Sequence, residues 1–166
     1  MEVKFKGKLL RLTVQKCRLP NGRTTVIEVV RHPGAVLIVP LLPNQRLILL
    51  RQYRPSIGQY LWELPAGTIN PGERPWLCAR RELIEETGFK ARSWRKVGKI
   101  IPVPGYSDEV IHLFEAKILS PAFAAQDLDE IIRPVEFTKA QIRLLFRQGK
   151  IIDAKTICGL VHTGWL

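Results

Sequence analysis

The chain has 166 residues, 46% of them hydrophobic, enough for one domain with a sizeable core. No apolar run reaches the roughly 18 residues of a membrane span, and the opening MEVKFKGKLL lacks the layout of a signal peptide, so a cytoplasmic protein with no membrane partner is expected. Three widely spaced cysteines, Cys17, Cys78 and Cys158, support neither a disulfide framework nor a zinc site, while 26 basic against 15 acidic residues, scattered along the chain, suit attraction of phosphates better than a dedicated nucleic-acid surface.

In chain order, residues 9–18 (LLRLTVQKCR) and 24–31 (TTVIEVVR) are β-branched and partly alternating, and Pro20-Asn21-Gly22 between them is a turn signal. They predict an antiparallel hairpin, with a short first strand at residues 3–5. Residues 35–42 (AVLIVPLL) are apolar enough for a central strand, and Pro43-Asn44 turns them into a strand over 46–53. Another strand at 60–64 delivers Pro65-Ala66-Gly67 to a helix over 75–87, with Pro75 in its first turn and Gly88 as the stop. Strands are expected at 94–103, 109–118 and 131–137. Two helices close the chain, one capped by Thr138 with Ile142, Leu145 and Phe146 as its apolar stripe, the other capped by Asp153 with Ile157, Leu160 and Val161.

The helix over 75–87 carries the chemistry. At about 100° per residue, Glu82 and Glu86 lie roughly 40° apart and Glu85 about 60° to the other side of Glu82, while Trp76, Ala79, Leu83 and Ile84 make a neighbouring face that can bury. Carboxylates at these spacings repel by a few tenths of a kcal/mol per pair. A hard divalent cation reverses the sign, because Mg2+ takes one or two carboxylates and fills its other positions with phosphate and water. Taken alone, three such glutamates more often make a solvated charged face; the residues around them decide otherwise.

The stretch GTINPGERPWLCARRELIEETGF resembles the signature of the Nudix hydrolases, supplying Gly67, Glu73, Arg81, Glu82, Leu83, Glu85, Glu86, Gly88 and Phe89 at the family's spacing. The resemblance implies a Nudix α/β/α sandwich around a mixed sheet, within the α/β class, hydrolysing a nucleoside diphosphate linked to another moiety with Mg2+ or Mn2+. It implies Glu82, Glu86 and the Ala66 carbonyl as metal ligands, Glu85 for a further ion among two or more, and Arg81 with Glu73 as a pair orienting the helix. VRHPGAVLIVPL, RQYRPSIGQYLWELPAGT, PVPGYSDEVIHLFEA and GKIIDAKTICGL, with Pro104 fifteen residues past Phe89, are similar to the ADP-ribose pyrophosphatase branch. That branch implies hydrolysis of ADP-ribose to AMP and ribose 5-phosphate, with residues 33–166 as the Nudix domain and the strands of residues 1–32 as a homodimerisation element. It also implies a catalytic base in the loop GYSDE, at Glu109 or its neighbour Asp108.

Arg54 and Arg31 are candidates for phosphate recognition, because guanidinium meets phosphate oxygens bidentately, with Arg51 a weaker neighbour. Glu63 is a candidate for binding substrate or metal. His32, His112 and His162 form no ligand motif and read as structural, and none of Trp62, Trp76, Trp94 and Trp165 is marked as a base-stacking platform; Phe5 is the one aromatic in the N-terminal region where this branch stacks its base. Two alternatives stay open: another substrate (a different nucleotide sugar, a dinucleoside polyphosphate or a capped RNA end), or a Nudix module that binds a nucleotide or RNA without cleaving it.

Overall fold

The structure, a computed structural model, describes residues 1–123 and 131–166. Its first three strands, β1 (Glu2–Lys6), β2 (Arg11–Arg18) and β3 (Thr24–Arg31), form an antiparallel sheet of their own. Arg18 pairs with Thr24 across the turn, where Gly22 takes the left-handed backbone (φ 81°) that closes it.

Strand β4 (Ala35–Pro40) explains the body of the fold. All six of its residues are buried, because helices cover both faces of its sheet. Ala35, Leu37 and Val39 point into one core with Leu113, Leu160 and Trp165, while Val36 and Ile38 point into another with Cys78, Ala79, Leu83 and Phe114. The strand order around it is β7-β4-β9-β8, with β7 (Ala66–Thr68), β8 (Phe89–Ile100) and β9 (Ile111–Pro121); β9 runs parallel to β4 and the other pairs are antiparallel. A second antiparallel sheet, β10-β5-β6, joins β5 (Arg46–Arg54), β6 (Gln59–Glu63) and β10 (Ile132–Thr138).

Helix α1 (Pro75–Thr87) packs on the Val36 side, and α3 (Ala154–His162) on the Leu37 side. This is the α/β/α sandwich around a mixed sheet that the resemblance implies. Helix α2 (Lys139–Arg147) is capped by Thr138 in a capping box with Gln141, and Asp153 caps α3 by accepting from Thr156 N–H at 3.0 Å. Helix α3 approaches β4 so closely that a Cβ at Gly159 would lie 2.7 Å from Leu37 and Leu64.

Several boundaries differ from expectation. Strand β8 begins at Phe89, not residue 94, because Gly88 turns the chain (φ 73°) directly from α1 into it. Strand β9 begins at Ile111, not residue 109, which leaves Asp108 and Glu109 in the preceding loop. Strand β7 occupies three residues that read as a connection. Of the predicted apolar faces, Ile142, Leu160, Ala79 and Leu83 are buried, whereas Phe146 and Val161, each in the last turn of its helix, and Trp76 at the start of α1 stay exposed.

Candidate active site

Burial of Cys78, Ala79 and Leu83 against the sheet fixes how α1 is rotated. Its other edge, carrying Arg81, Glu82 and Glu85, lines a cleft of about 430 Å³. Ala66 and Gly67 of β7 form the adjoining wall. A Cβ on Gly67 would overlap the Glu82 carboxylate, so the carboxylate occupies a cradle that only glycine leaves open. Glu86 is buried, and its Oε2 accepts Ala66 N–H at 2.8 Å.

Arg81 ties this edge together. Its Nε and Nη2 donate to the two Glu73 oxygens at 3.1 Å each, and its Nη1 donates to Glu82 at 2.6 Å and Glu85 at 2.9 Å. The Glu73 bonds foremost, with Glu82 and Glu85 behind them, raise the Arg81 pKa and keep the guanidinium charged. The same bonds hold the Glu73 carboxyl below its ordinary range. Cys78, on the buried face of α1, is pushed up to about 12 by burial and then by Glu82 and Glu73, which makes it an inert thiol.

Further lining comes from β5 and α3. Glu63 is fully buried, its Oε1 and Oε2 accepting from Arg54 Nε and Nη2 at 2.7 Å each. Lys155 also donates to Glu63, and to Asp153 at 2.9 Å. Leu64 N–H donates to Thr156 Oγ1 at 2.8 Å, which fixes α3 to the same segment. Both cations, Arg54 and Lys155, line the cleft.

Burial alone drives the Glu63 carboxyl upward, but Arg54 and Lys155 outweigh it and hold it below the usual glutamate value. A depressed pKa contributes stability that is complete above the unfolded value of about 4.3 and is lost as pH falls through the folded value below it. Urea midpoints measured from about pH 6 down to about pH 3 should therefore fall more steeply for the wild type than for Glu63→Gln. Parallel curves would show that Glu63 is not the group responsible.

The family model of the NUDIX domain matches residues 31–157, which contain all of these groups. The chain belongs to the Nudix family. It is 36% identical over 160 residues to the methanol dehydrogenase activator of Bacillus methanolicus, covering 95% of this chain and 86% of the relative. It is 36% identical over 154 residues to the ADP-ribose pyrophosphatase of Bacillus subtilis (strain 168), covering 92% and 83%. A crystal structure of an ADP compounds hydrolase superposes with a TM-score of 0.84 at 27% identity, covering 98% of this chain and 88% of that one.

Against this Nudix frame, the predicted residues divide between two sites. Glu82, Glu85, Arg81, Arg54, Ala66 and Glu109 line one cleft, and Glu86 braces its Ala66 wall from beneath. Glu63 is buried and holds Arg54. Arg31 and Asp108 instead line a neighbouring groove beside the N-terminal sheet and bond each other at 2.9 Å. Arg51 stacks over Tyr60, its guanidinium carbon 4.8 Å from the ring centroid, and is not among the residues lining the cleft.

Two ionisable residues of the cleft, Lys155 and His32, lie outside the site residues expected from the sequence. Lys155 lies in the quoted GKIIDAKTICGL, but nothing local in that string shows that its ammonium meets a carboxylate 92 residues away. His32, read as structural, lines the cleft; its Nδ1 accepts Gly34 N–H at 3.0 Å and stands 3.7 Å from Glu109 Oε1. Of the tryptophans, Trp62 packs edge-on against Phe137 and Trp94 against Phe114, Trp165 is buried, and Trp76 lies under Arg80.

Proposed function

We propose that this Nudix protein is a Mg2+-dependent hydrolase that splits ADP-ribose into AMP and ribose 5-phosphate. The observation carrying this reading is the convergence of opposite charges on one cleft: Glu82 and Glu85 of α1, Arg54 of β5, Lys155 of α3 and Glu109 all line it. The similarity to the ADP-ribose pyrophosphatase of Bacillus subtilis supports the substrate.

The donor set fits a hard cation. Among the described residues no three carboxylate, imidazole or thiol groups converge as a ready-made ligand cluster. Mg2+ does not require one, since one or two carboxylates complete its shell with substrate phosphate and water. Glu82, Glu86 and the Ala66 carbonyl would hold the metal, with Glu85 serving a further ion; Mn2+ suits the same oxygens. Two or more such ions, when bound, neutralise charge on the phosphate oxygens and lower the pKa of the attacking water.

The chain's own groups supply the rest. Arg54 and Lys155 grip the diphosphate, and Glu63 fixes both, so that little side-chain freedom is lost when substrate binds. Glu109 takes the water's proton as its oxygen bonds to phosphorus and the bridging P–O bond breaks toward the leaving phosphate. Asp108 is less suited to that role, because its carboxylate is held by Arg31 and by His32 N–H at 3.0 Å. Arg81 steadies Glu82 and Glu85 from the Glu73 side.

Residues 1–32 would serve as a dimerisation element beside a Nudix domain of residues 33–166, a reading supported by the open N-terminal sheet, where Val3 and Phe5 of β1 and Val26 of β3 are exposed. Among the described residues no helix is long and apolar enough to cross a membrane, in keeping with a cytoplasmic enzyme.

The substrate is tested by comparing kcat/KM for ADP-ribose, ADP-glucose, GDP-mannose, NADH, a diadenosine polyphosphate and capped RNA under Mg2+. ADP-ribose is expected to lead by about tenfold or more, the effect of one well-placed polar contact. A lead for another compound would move the substrate within the family. Tight binding of a nucleotide or RNA with no turnover would replace the enzyme by a binding module.

A further inference from the structure

The loop that carries Glu109 is fastened link by link to the end of β3. Val30 N–H donates to Tyr106 O at 2.8 Å, Ser107 Oγ donates to Val30 O at 3.1 Å, and Asp108 N–H donates to the same carbonyl at 3.3 Å. Glu109 N–H then donates to Ser107 Oγ at 3.2 Å. The Asp108 carboxylate closes the joint, one oxygen accepting Arg31 Nη1 at 2.9 Å and the other accepting His32 N–H at 3.0 Å.

Arg31 is itself braced from β2. Its Nε donates to Thr13 Oγ1 at 3.2 Å and its Nη2 to Gln15 Oε1 at 2.9 Å. Thr13 is buried and its hydroxyl donates on to Val29 O at 3.2 Å. Each of the three guanidinium nitrogens therefore already has a partner within the chain, and the side chain lines the groove beside the N-terminal sheet. A guanidinium so committed is poorly placed to read a phosphate and well placed to hold a loop.

We propose that Arg31 and Asp108 are positioning residues for the reaction: the N-terminal sheet mounts the Glu109 loop, and the Arg31–Asp108–His32 joint sets where the Glu109 carboxylate stands in the cleft. The proposal rests on Glu109 being the base. A general base must stand within hydrogen-bond reach of the proton it takes, and a misplacement of about 1 Å can reduce rate by about a hundredfold.

The test is steady-state kinetics with ADP-ribose and Mg2+ on Arg31→Ala, Asp108→Ala, the double variant, and each single change combined with Glu109→Gln, together with amide hydrogen exchange over residues 105–110. Each single variant should lower kcat by about 30- to 100-fold and leave KM within about threefold. The double variant should be no slower than the worse single, and neither change should add to the loss in Glu109→Gln. Amides of the loop should exchange about tenfold faster while those of α1 keep their protection. Arg31→Lys, which reaches Asp108 but cannot also hold Thr13 and Gln15, should fall between wild type and Arg31→Ala, and serves in its place if the alanine variant does not fold.

A raised KM with unchanged kcat in Arg31→Ala would make Arg31 a phosphate reader and overturn the proposal, as would unchanged loop exchange. If Glu109→Gln keeps the wild-type kcat, the base assignment fails instead. The exchange data then still decide whether the joint holds the loop.

Discussion

Gly67→Ala is expected to lower kcat by about a hundredfold or more while the protein remains folded. The new methyl would take the space of the Glu82 carboxylate, and the neighbouring β7 backbone is paired to β4 through Val36 opposite Gly67. The backbone cannot retreat without breaking that register, so the flexible glutamate must yield. Displacing it breaks the Arg81–Glu82 bond and removes one of the oxygens proposed for Mg2+. The overpacking itself should destabilise by about 1–3 kcal/mol, well short of unfolding a typical domain. Kinetics across a Mg2+ titration reads the effect, with the activation midpoint moving to higher concentration alongside the fall in kcat. Wild-type turnover in this variant would mean that Glu82 has no need of the position it occupies beside Gly67.

Glu86→Gln should be more damaging still, with kcat down on the order of a thousandfold, the scale seen when a preorganised electrostatic contact to the reacting centre is lost. The substitution is nearly isosteric, and the glutamine carbonyl can accept Ala66 N–H as the carboxylate does now. Packing against the cleft wall is therefore kept while the charge is lost. Removing one of three neighbouring carboxylates also relieves repulsion along α1, so the melting temperature should hold or rise. Glu85→Gln should cost less, about tenfold, because Glu85 is 35% exposed and has Arg81 as its partner in the cleft. A calorimetric melt beside the kinetics separates the two effects. A large fall in melting temperature in step with activity would point to a structural glutamate.

How far the site was legible depends on how local each signal is. Pro75 and Gly88 bracket α1 in sequence as they do in space, and the spacing of Glu82, Glu85 and Glu86 places them on one edge by helical geometry alone. The six apolar residues of β4 likewise announce a strand covered on both faces. Strand β8 was harder to place: Lys90, Arg92 and Ser93 give its first half the polarity of a loop, which fits an edge strand that must not pair further.

The cluster of Glu63, Arg54 and Lys155 was out of reach for a different reason. Glu63 meets Arg54 across the β5–β6 pair although the register sets Leu50 opposite Glu63 and Gln59 opposite Arg54, and it meets Lys155 only once α3 has docked. A strand pattern reports that Glu63 faces inward; it does not report which cations will neutralise it. Arg31 shows the same limit in reverse. A guanidinium at the end of a strand suggests phosphate, yet the register that pairs Arg31 with Arg11 leaves Thr13 and Gln15 of β2 within reach of its side chain, and the loop brings Asp108.

The central claim is tested most directly by chromatographic analysis of the products from ADP-ribose incubated with the purified protein, first with Mg2+, then with excess chelator, then with Mg2+ restored. AMP and ribose 5-phosphate should form in equal amounts with Mg2+, stop forming in chelator and return when the ion does. Intact ADP-ribose after prolonged incubation with Mg2+, or hydrolysis undiminished in chelator, would contradict the account.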